Sequence, residues 1–219
     1  MRRLHPHPVE RIGVLEAYDV DRPRPTSRPW LELCMVASVD GSTVIDHRSG
    51  ALSSDADREV LSTLRSLADV IIVGAGTVRA EGYGPPRKAG QRIGVVSRRG
   101  DVDLTTPLFT SGAGFLIVPR SAPPLAVDTV RAGEHDVDLV EALAQLDADF
   151  VHAEGGPSLN AALAEADVID ELNLTISPLL AGGTGPRVTA GAAQFVRSLE
   201  LAHVLEDASF LFTRYVRRR

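Results

Sequence analysis

The sequence contains 219 residues, of which 44% are apolar, and has a formal net charge of −6, which fits one large globular domain with a full core. The acidic balance argues against a nucleic-acid partner, and no apolar run is long enough to span a membrane. A single cysteine, Cys34, excludes an internal disulfide and a thiolate metal cluster, which fits a reducing cytoplasm and predicts no bound metal.

The first 29 residues are predicted to form an appendage to a main domain over residues 30–219. Residues 9–18 have a pattern typical of a short helix, and the proline-rich stretch 22–29 predicts an extended lead-in. The chain ends in three arginines, which are typical of a solubilising tail rather than of a binding site.

The main domain begins with a strand and an amphipathic helix. Residues 30–38 are apolar enough for a buried strand, and residues 39–43 predict a turn. Ser54, followed three positions later by Asp57, resembles a capping box ahead of a helix over residues 55–67. The apolar side chains of that helix fall on one face, at Val60, Leu61, Leu64 and Leu67.

Short strands and helices then alternate along the chain. Apolar runs predict strands over residues 70–73, 93–96, 115–118, 150–153 and 172–176, and helical patterns cover residues 137–146 and 157–164. Residues 195–205 and 210–216 predict an antiparallel hairpin at one edge of the sheet. This order predicts a three-layer α/β fold, in which helices cover both faces of a mixed, mostly parallel sheet.

Within residues 150–160 a short strand runs into an acid, two glycines and a proline. Gly155 and Gly156 allow a sharp turn and a close approach of the backbone to a ligand. Pro157 suits the first turn of a helix, whose free N–H groups attract anions. The segment predicts a phosphate site with the Glu154 carboxylate beside it, and the alternative is a tight structural turn with a solvated Glu154.

Two other predicted strands end in segments that suit a dinucleotide. Gly74 and Gly76 follow one strand, and Ser97, Arg98 and Arg99 follow the next. Open α/β sheets bind ligands at the carboxyl ends of their strands, so these segments are expected to share one site. The hydroxyl and two guanidiniums suit the 2′-phosphate of NADP, and the alternative is a solvated arginine pair.

Five short motifs follow one another along the chain, at residues 36–41, Ser49-Gly50, Arg58 with Arg65, residues 74–81 and residues 154–159. Their order resembles that of the riboflavin-pathway pyrimidine reductases, also known as the C-terminal reductase domain of the bifunctional riboflavin deaminase–reductase. The resemblance extends from about residue 30 to residue 216. It implies a dihydrofolate reductase-like fold and makes residues 30–219 a reductase domain.

The resemblance implies an NADPH-dependent oxidoreductase. Its substrate is 5-amino-6-(5-phosphoribosylamino)uracil, whose ribose opens and receives a hydride at C1′ to become a ribityl chain. The family pairs as homodimers through sheet edges, so a homodimer is expected here. Together with the strand-end segments, the resemblance gives these expected NADPH contacts: Ala37, Gly74, Gly76, Thr77, Glu81, Ser97, Arg98, Gly155, Gly156, Pro157, Ser158 and Leu159.

On the substrate side, the resemblance implies that Arg65 and Glu154 face the pyrimidine, with Arg87 as a second candidate for the substrate phosphate. The residue types fit, because arginine suits a sugar phosphate and a carboxylate suits pyrimidine amino groups. The candidate catalytic residues are Glu154 and Asp40. Asp40 either donates a proton or caps its own backbone in a turn.

Three departures from the family concern the substrate. Cys34 stands where bacterial members often have a lysine, Glu81 replaces an aspartate, and the loop 46–54 is shorter and lacks an aromatic residue. These departures leave two alternatives open. One is an NADPH-dependent reductase of another pyrimidine- or pterin-like compound, dihydrofolate included, and the other is a non-catalytic NADP-binding protein.

The run His152-Ala153-Glu154 matches the H-A-E motif of zinc cytidine-type deaminases. Those enzymes also need a P-C-x-x-C pair to complete the zinc site, and a chain with one cysteine cannot supply it. A zinc deaminase is therefore excluded. His152 is predicted to pack within its strand.

Overall fold

The computed structural model describes residues 1–218 and arranges their strands in one ten-stranded sheet. The strands are β1 (Arg2–His5), β2 (Trp30–Ser38), β3 (Val70–Gly74), β4 (Arg92–Val96), β5 (Gly114–Val118), β6 (Thr129–Arg131), β7 (Phe150–Ala153), β8 (Glu171–Ser177), β9 (Leu199–Asp207) and β10 (Phe210–Arg217). The helices are α1 (Val14–Tyr18), α2 (Asp55–Leu67), α3 (Ala75–Glu81), α4 (Pro107–Thr110), α5 (Leu139–Ala144) and α6 (Pro157–Glu165).

The strand order is β1-β9-β10-β8-β2-β7-β3-β4-β5-β6. Neighbours from β8 to β6 are parallel, whereas β1, β9, β10 and β8 pair antiparallel. The predicted mixed, mostly parallel sheet with a C-terminal antiparallel hairpin is therefore confirmed. The hairpin does not form the edge, however, because β1 pairs with residues 204–206 of β9 and β8 covers β10.

The two faces of the sheet follow from the alternation of side chains along each strand. On β2, Leu31 and Leu33 join the core beneath α5 and α6, whereas Glu32 and Cys34 point to the other face. Cys34 packs there in a cluster with residues of α1 and α2. Further along the same sheet, α3 and α4 contribute to a third cluster with β3, β4 and β5. Helices thus cover both faces, as predicted.

Residues 1–29 contact the same sheet as the rest of the chain. β1 extends it beyond β9, and α1 begins at Val14 rather than at residue 9, because Val9 forms a β-bridge with Arg3. Near the end of the segment, Arg28 donates to both oxygens of Asp170 at 2.5 and 3.0 Å. The same carboxylate accepts the backbone N–H of Leu31 at 3.0 Å.

Some elements differ from the prediction for identifiable reasons. The sequence interpretation assigns no helix after Gly74, yet α3 starts at Ala75, and Ala75 and Val78 join the core beneath it. β6 has three residues and α4 four, so neither is long enough to give a periodic pattern. β9 begins at Leu199, four residues later than predicted.

None of the helices within residues 1–218 has the length and apolar character needed to cross a membrane. The same residues contain no group of three or more His, Cys, Asp or Glu placed to hold a metal ion. Arg219, the last residue of the predicted arginine tail, lies outside the described residues.

We expect Asp170→Ala to lower the free energy of unfolding by about 3–5 kcal/mol, because it leaves the buried Arg28 guanidinium without its carboxylate. Urea denaturation monitored by circular dichroism measures the change. Asp149→Ala is the matched control, since Asp149 pairs with Arg24 in the same segment but both side chains are largely exposed. The control should cost less than about 1 kcal/mol. Equal losses in the two variants would contradict the prediction.

Candidate active site

A cavity of about 1180 Å³ opens at the carboxyl ends of β2, β7, β3 and β4. The three predicted strand-end segments meet there, as parallel strands in one sheet require. Most of the predicted site residues line this cavity, namely Gly74, Gly76, Thr77, Glu81, Ser97, Arg98, Glu154, Gly156, Pro157, Ser158 and Leu159.

Two strand-end segments touch through their backbones at the floor of the cavity. The N–H of Gly74 donates to the carbonyl of Gly155 at 2.6 Å. A Cβ at Gly156 would lie 2.6 Å from Oγ1 of Thr77, so any larger residue at 156 requires the Thr77 side chain to shift. Gly155 has a φ of +80°, which favours glycine.

The first turn of α6 faces the cavity beside these glycines. Gly156 is the N-cap, Pro157 occupies the first turn, and no described side chain caps the helix. The backbone N–H groups of this turn therefore remain available to an anion. Ser158 and Leu159, which follow Pro157, line the cavity.

A polar turn closes the cavity at the end of β4. Ser97 is buried, accepts the N–H of Gly100 at 3.0 Å and donates to Asp101 at 3.1 Å. Arg98 and Arg99 are exposed, and the Arg98 guanidinium lies 3.7 Å from the Asp136 carboxylate. Ser97 thus orders the turn, and the exposed guanidinium groups of Arg98 and Arg99 are accessible to a phosphate.

The predicted substrate residues Arg65 and Glu154 are in direct contact. Arg65 donates from Nε and Nη2 to the two oxygens of Glu154 at 2.5 and 2.6 Å. The Tyr83 hydroxyl donates to the same carboxylate at 2.7 Å. Burial would raise the pKa of Glu154, but His152 and Arg65 outweigh it and lower the pKa to about 2. Glu154 is therefore an anion at neutral pH.

Tyr83 is a site residue that the sequence interpretation missed. Its ring lies beneath the Arg65 guanidinium at 5.6 Å, and it lines the cavity. Burial and the neighbouring Glu154 raise the pKa of its hydroxyl far above the ordinary value, so the hydroxyl keeps its proton. The available signal is its position between Gly82 and Gly84, directly after the segment 74–81.

His152 lies in β7 as predicted, but it does more than fill space. Its Nδ1 is 2.5 Å from Glu32, and its Nε2 makes an ion-pair contact with Glu154 at 3.2 Å. Burial alone would lower the pKa of His152, but the charge of Glu32 and the contact with Glu154 raise it to about 9. His152 is thus buried within its strand as predicted, and its contacts with the two carboxylates are what the sequence interpretation missed.

Glu32 connects this site to further buried charges on neighbouring strands. Asn173 donates to Glu32 at 2.8 Å and to Glu171 at 2.9 Å. Arg22 and Arg214 each make paired hydrogen bonds to Glu171, at distances between 2.9 and 3.1 Å. We call the line His152, Glu32, Asn173, Glu171 and Arg214 the buried charge row.

Some predicted site residues lie away from the cavity wall. Asp40 is exposed and accepts hydrogen bonds from Ser38 and from the N–H groups of Ala181 and Gly182. These bonds lower its pKa to about 2, so it holds no proton at neutral pH. The structure argues against the proton-donor interpretation, and the backbone N–H groups that Asp40 accepts belong to residues 181–182 rather than to its own turn. Arg87 is exposed and does not line the cavity.

Three other predicted residues have mainly local contacts. Ala37 is buried in β2 and is not part of the cavity wall. Gly155 lies under the floor, where its carbonyl accepts the N–H of Gly74. Glu81 lines the cavity, and its carboxylate accepts both the N–H and the hydroxyl of Ser49 at 3.1 and 3.0 Å. Glu81 therefore attaches the loop 46–54 to α3.

The RibD C-terminal domain family model matches residues 29–211, and the chain belongs to this family. A 2,5-diamino-6-ribosylamino-4(3H)-pyrimidinone 5′-phosphate reductase of Methanothermobacter thermautotrophicus is 28% identical, over 73% of this chain and 82% of the relative. A reductase of the same description from Archaeoglobus fulgidus is 27% identical, over 81% of this chain and 93% of the relative.

Among solved structures, a pyrimidine reductase-like protein of Corynebacterium diphtheriae superposes with a TM-score of 0.76. The match covers 87% of this chain and 92% of that protein at 22% identity. This likeness, together with the family, confirms the predicted dihydrofolate reductase-like fold. The predicted resemblance to the pyrimidine reductases is confirmed as well.

We expect Arg65→Met to lower the free energy of unfolding by about 1–3 kcal/mol, because the buried Glu154 carboxylate loses its guanidinium but keeps His152 and Tyr83. Chemical denaturation at pH 7 measures the loss. Arg58→Met is the matched control on the same helix, where Arg58 pairs with a fully exposed Asp55. The control should change stability by less than about 0.5 kcal/mol. A stable Arg65→Met variant would show that the pair contributes little.

Proposed function

We propose that this protein is an NADPH-dependent reductase of a phosphoribosylamino-pyrimidine in riboflavin biosynthesis. The observation that supports this most is the Glu154 carboxylate beside a glycine-lined floor, in one cavity of a RibD C-terminal domain. Glu154 and Tyr83 line this cavity, whereas Arg65 is bonded to Glu154 without being part of the cavity wall. The reaction converts the ribose of 5-amino-6-(5-phosphoribosylamino)uracil, or of its 2-amino counterpart named for the archaeal relatives, into a ribityl chain.

The floor and the β4 side of the cavity suit NADPH. The backbone contact between the segments at Gly74 and Gly155 and the uncapped first turn of α6 offer a close-fitting site for the diphosphate. Arg98 and Arg99 are suited to the 2′-phosphate, since guanidinium groups bind phosphate through paired hydrogen bonds. Bound NADPH supplies the hydride.

The β7 and α2 side of the cavity suits the substrate. Glu154 already accepts three hydrogen bonds, two from Arg65 and one from Tyr83, and has the His152 imidazole 3.2 Å away. It therefore orients Arg65 and Tyr83 toward the pyrimidine, and any direct contact with the ring replaces one of its present bonds. Cys34, in place of a lysine, makes the adjoining wall neutral and small.

The substrate phosphate needs a cation that is not already paired. Arg65 is committed to Glu154, and Arg87 lies outside the cavity. Arg58 on α2 and His47 in the preceding loop line the cavity. α2 contacts β7, whereas Arg98 follows β4 on the far side of β3. We therefore assign the substrate phosphate to Arg58 and His47, and the cofactor phosphates to the opposite side.

The first experiment compares NADPH and NADH binding to the purified protein and then follows NADPH consumption with each phosphoribosylamino-pyrimidine and with dihydrofolate. We expect NADPH to bind at least about tenfold more tightly than NADH, because of the arginines after Ser97. We also expect turnover with a phosphoribosylamino-pyrimidine. Glu154→Ala should reduce that turnover while NADPH binding persists.

Gly156→Ala tests the cofactor site in the same assay. The added methyl meets Thr77, so NADPH affinity should fall by about tenfold or more. Gly13→Ala is its matched control, because a Cβ there has no neighbour within 4 Å. NADPH binding with turnover of dihydrofolate alone would move the substrate to the pterins. Binding without any turnover would favour a non-catalytic protein, and no binding of either cofactor would contradict the proposal.

We also propose that two copies pair as a homodimer at the open part of β9. β1 pairs only with residues 204–206, so the described structure leaves residues 199–203 without a neighbour on that side. Val196 is 83% exposed and Leu199 is 37% exposed beside this open edge. An uncovered strand edge next to exposed apolar side chains favours pairing with another chain.

Sedimentation equilibrium at micromolar concentration should give the mass of a dimer. Val196→Glu should weaken the dimer by about tenfold or more, because it buries a charge at the interface. Leu15→Glu is the matched control, since Leu15 is another exposed apolar side chain, on α1. A monomer in the unmodified protein would contradict this proposal, as would equal effects of the two variants.

A further inference from the structure

His152 is a fully buried imidazole that joins the cavity to the buried charge row. It stands two residues before Glu154 on β7, so both side chains point to the same face of the sheet. On the adjacent strand β2, Glu32 is its direct register partner. The imidazole therefore lies between two carboxylates, one at the cavity wall and the other beneath it.

The two carboxylates differ in what else neutralises them. Glu154 has Arg65 as a second cation and Tyr83 as a further donor. Glu32 is fully buried, and its other described hydrogen bond comes from the neutral amide of Asn173. A buried carboxylate needs a partner charge, and His152 is the cation in contact with Glu32. The contact with Glu32 therefore favours the protonated form of the imidazole.

We propose that His152 is a positioning residue for the reaction, in which its imidazolium fixes the Glu154 carboxylate and, through it, Arg65 and Tyr83 against the substrate. This inference rests on the proposed function. Its physical basis is that the guanidinium binds both oxygens of the carboxylate while the imidazolium lies 3.2 Å from Oε1, so the two cations together favour one orientation of the carboxylate. Such preorganisation improves substrate binding because no reorientation is needed.

The buried His203 provides an internal comparison on the same face of the sheet. It pairs in register with Arg214, at the opposite end of the buried charge row. Burial and the Arg214 charge lower the pKa of His203 to about 4. His152, with carboxylates in place of an arginine, has a pKa raised to about 9. At neutral pH one buried histidine is therefore charged and the other is neutral.

The charged groups in contact with His152 are Glu32 on β2 and Glu154 after β7. The groups that interact with these two acids in turn are Cys34, Tyr18, Asn173, Arg65 and Tyr83. The pKa values of Cys34, Tyr18 and Tyr83 are all raised, and those of Glu154 and Glu171 are lowered. Loss of the His152 proton is thus the expected event near pH 9.

The first test observes the histidines by NMR of the imidazole Cε1–H groups, with His152→Gln used to assign the signal. We expect a His152 midpoint near pH 9, while His203 stays neutral throughout the neutral range. Glu32→Gln should lower the His152 midpoint by about one pH unit or more. A His152 midpoint at or below the ordinary value of about 6.5 would overturn the proposal.

The second test measures KM, kcat and NADPH affinity against pH. In the unmodified protein the KM for the pyrimidine should rise as the pH passes about 9, while NADPH affinity stays level. His152→Gln should raise KM about tenfold at neutral pH, remove this basic limb and leave NADPH affinity within about twofold. His203→Gln, the matched buried control, should keep the basic limb.

The two tests distinguish a failure of the positioning role of His152 from a failure of the proposed reductase function. A protein without turnover contradicts the reduction, whereas the NMR midpoints still decide the charge of His152. A purely structural role would lower the stability of His152→Gln without changing the pH profile, and that outcome would overturn the proposal. If His152→Gln fails to fold, Glu32→Gln and the pH profile of the unmodified protein still test whether His152 has a positioning role.

Discussion

The buried charge row depends on two glutamates, Glu32 and Glu171, which the parallel pairing of β2 and β8 places side by side. Glu32 and Glu171 are register partners, and both are fully buried. Like charges directly opposite each other destabilise a sheet, and buried ones do so strongly. The pairing is tolerated because Asn173 bridges the two acids, His152 neutralises Glu32 and two arginines neutralise Glu171.

This neutralisation joins parts of the chain that are far apart in sequence. Arg22 reaches Glu171 from the N-terminal segment, and Arg214 reaches it from the last strand. At the other end of the buried charge row, His152 contacts Glu154 at the cavity. The orientation of one site carboxylate therefore depends on contacts made by both ends of the chain, and residues 1–29 help to neutralise the centre of the sheet.

The elements that the sequence predicts well are those with a local pattern. The central strands are short apolar runs, α2 has a capping serine and one apolar face, and the turn at Gly155 and Gly156 is marked by its composition. The missed features are non-local: Glu32 and His152 are 120 positions apart, and Tyr83 meets Glu154 across 71 positions. Asp40 was ambiguous because its partners, Ala181 and Gly182, lie in a distant loop.

The floor of the cavity is made of backbone, whereas its α2 wall is made of side chains. At Gly155, whose φ is +80°, and at Gly156, whose Cβ would lie 2.6 Å from Oγ1 of Thr77, the fit depends on the absence of a side chain. Arg58 and Leu61 on α2 are ordinary positions whose replacement leaves the floor intact. Evolution can therefore alter the wall in small steps while the floor is inherited unchanged.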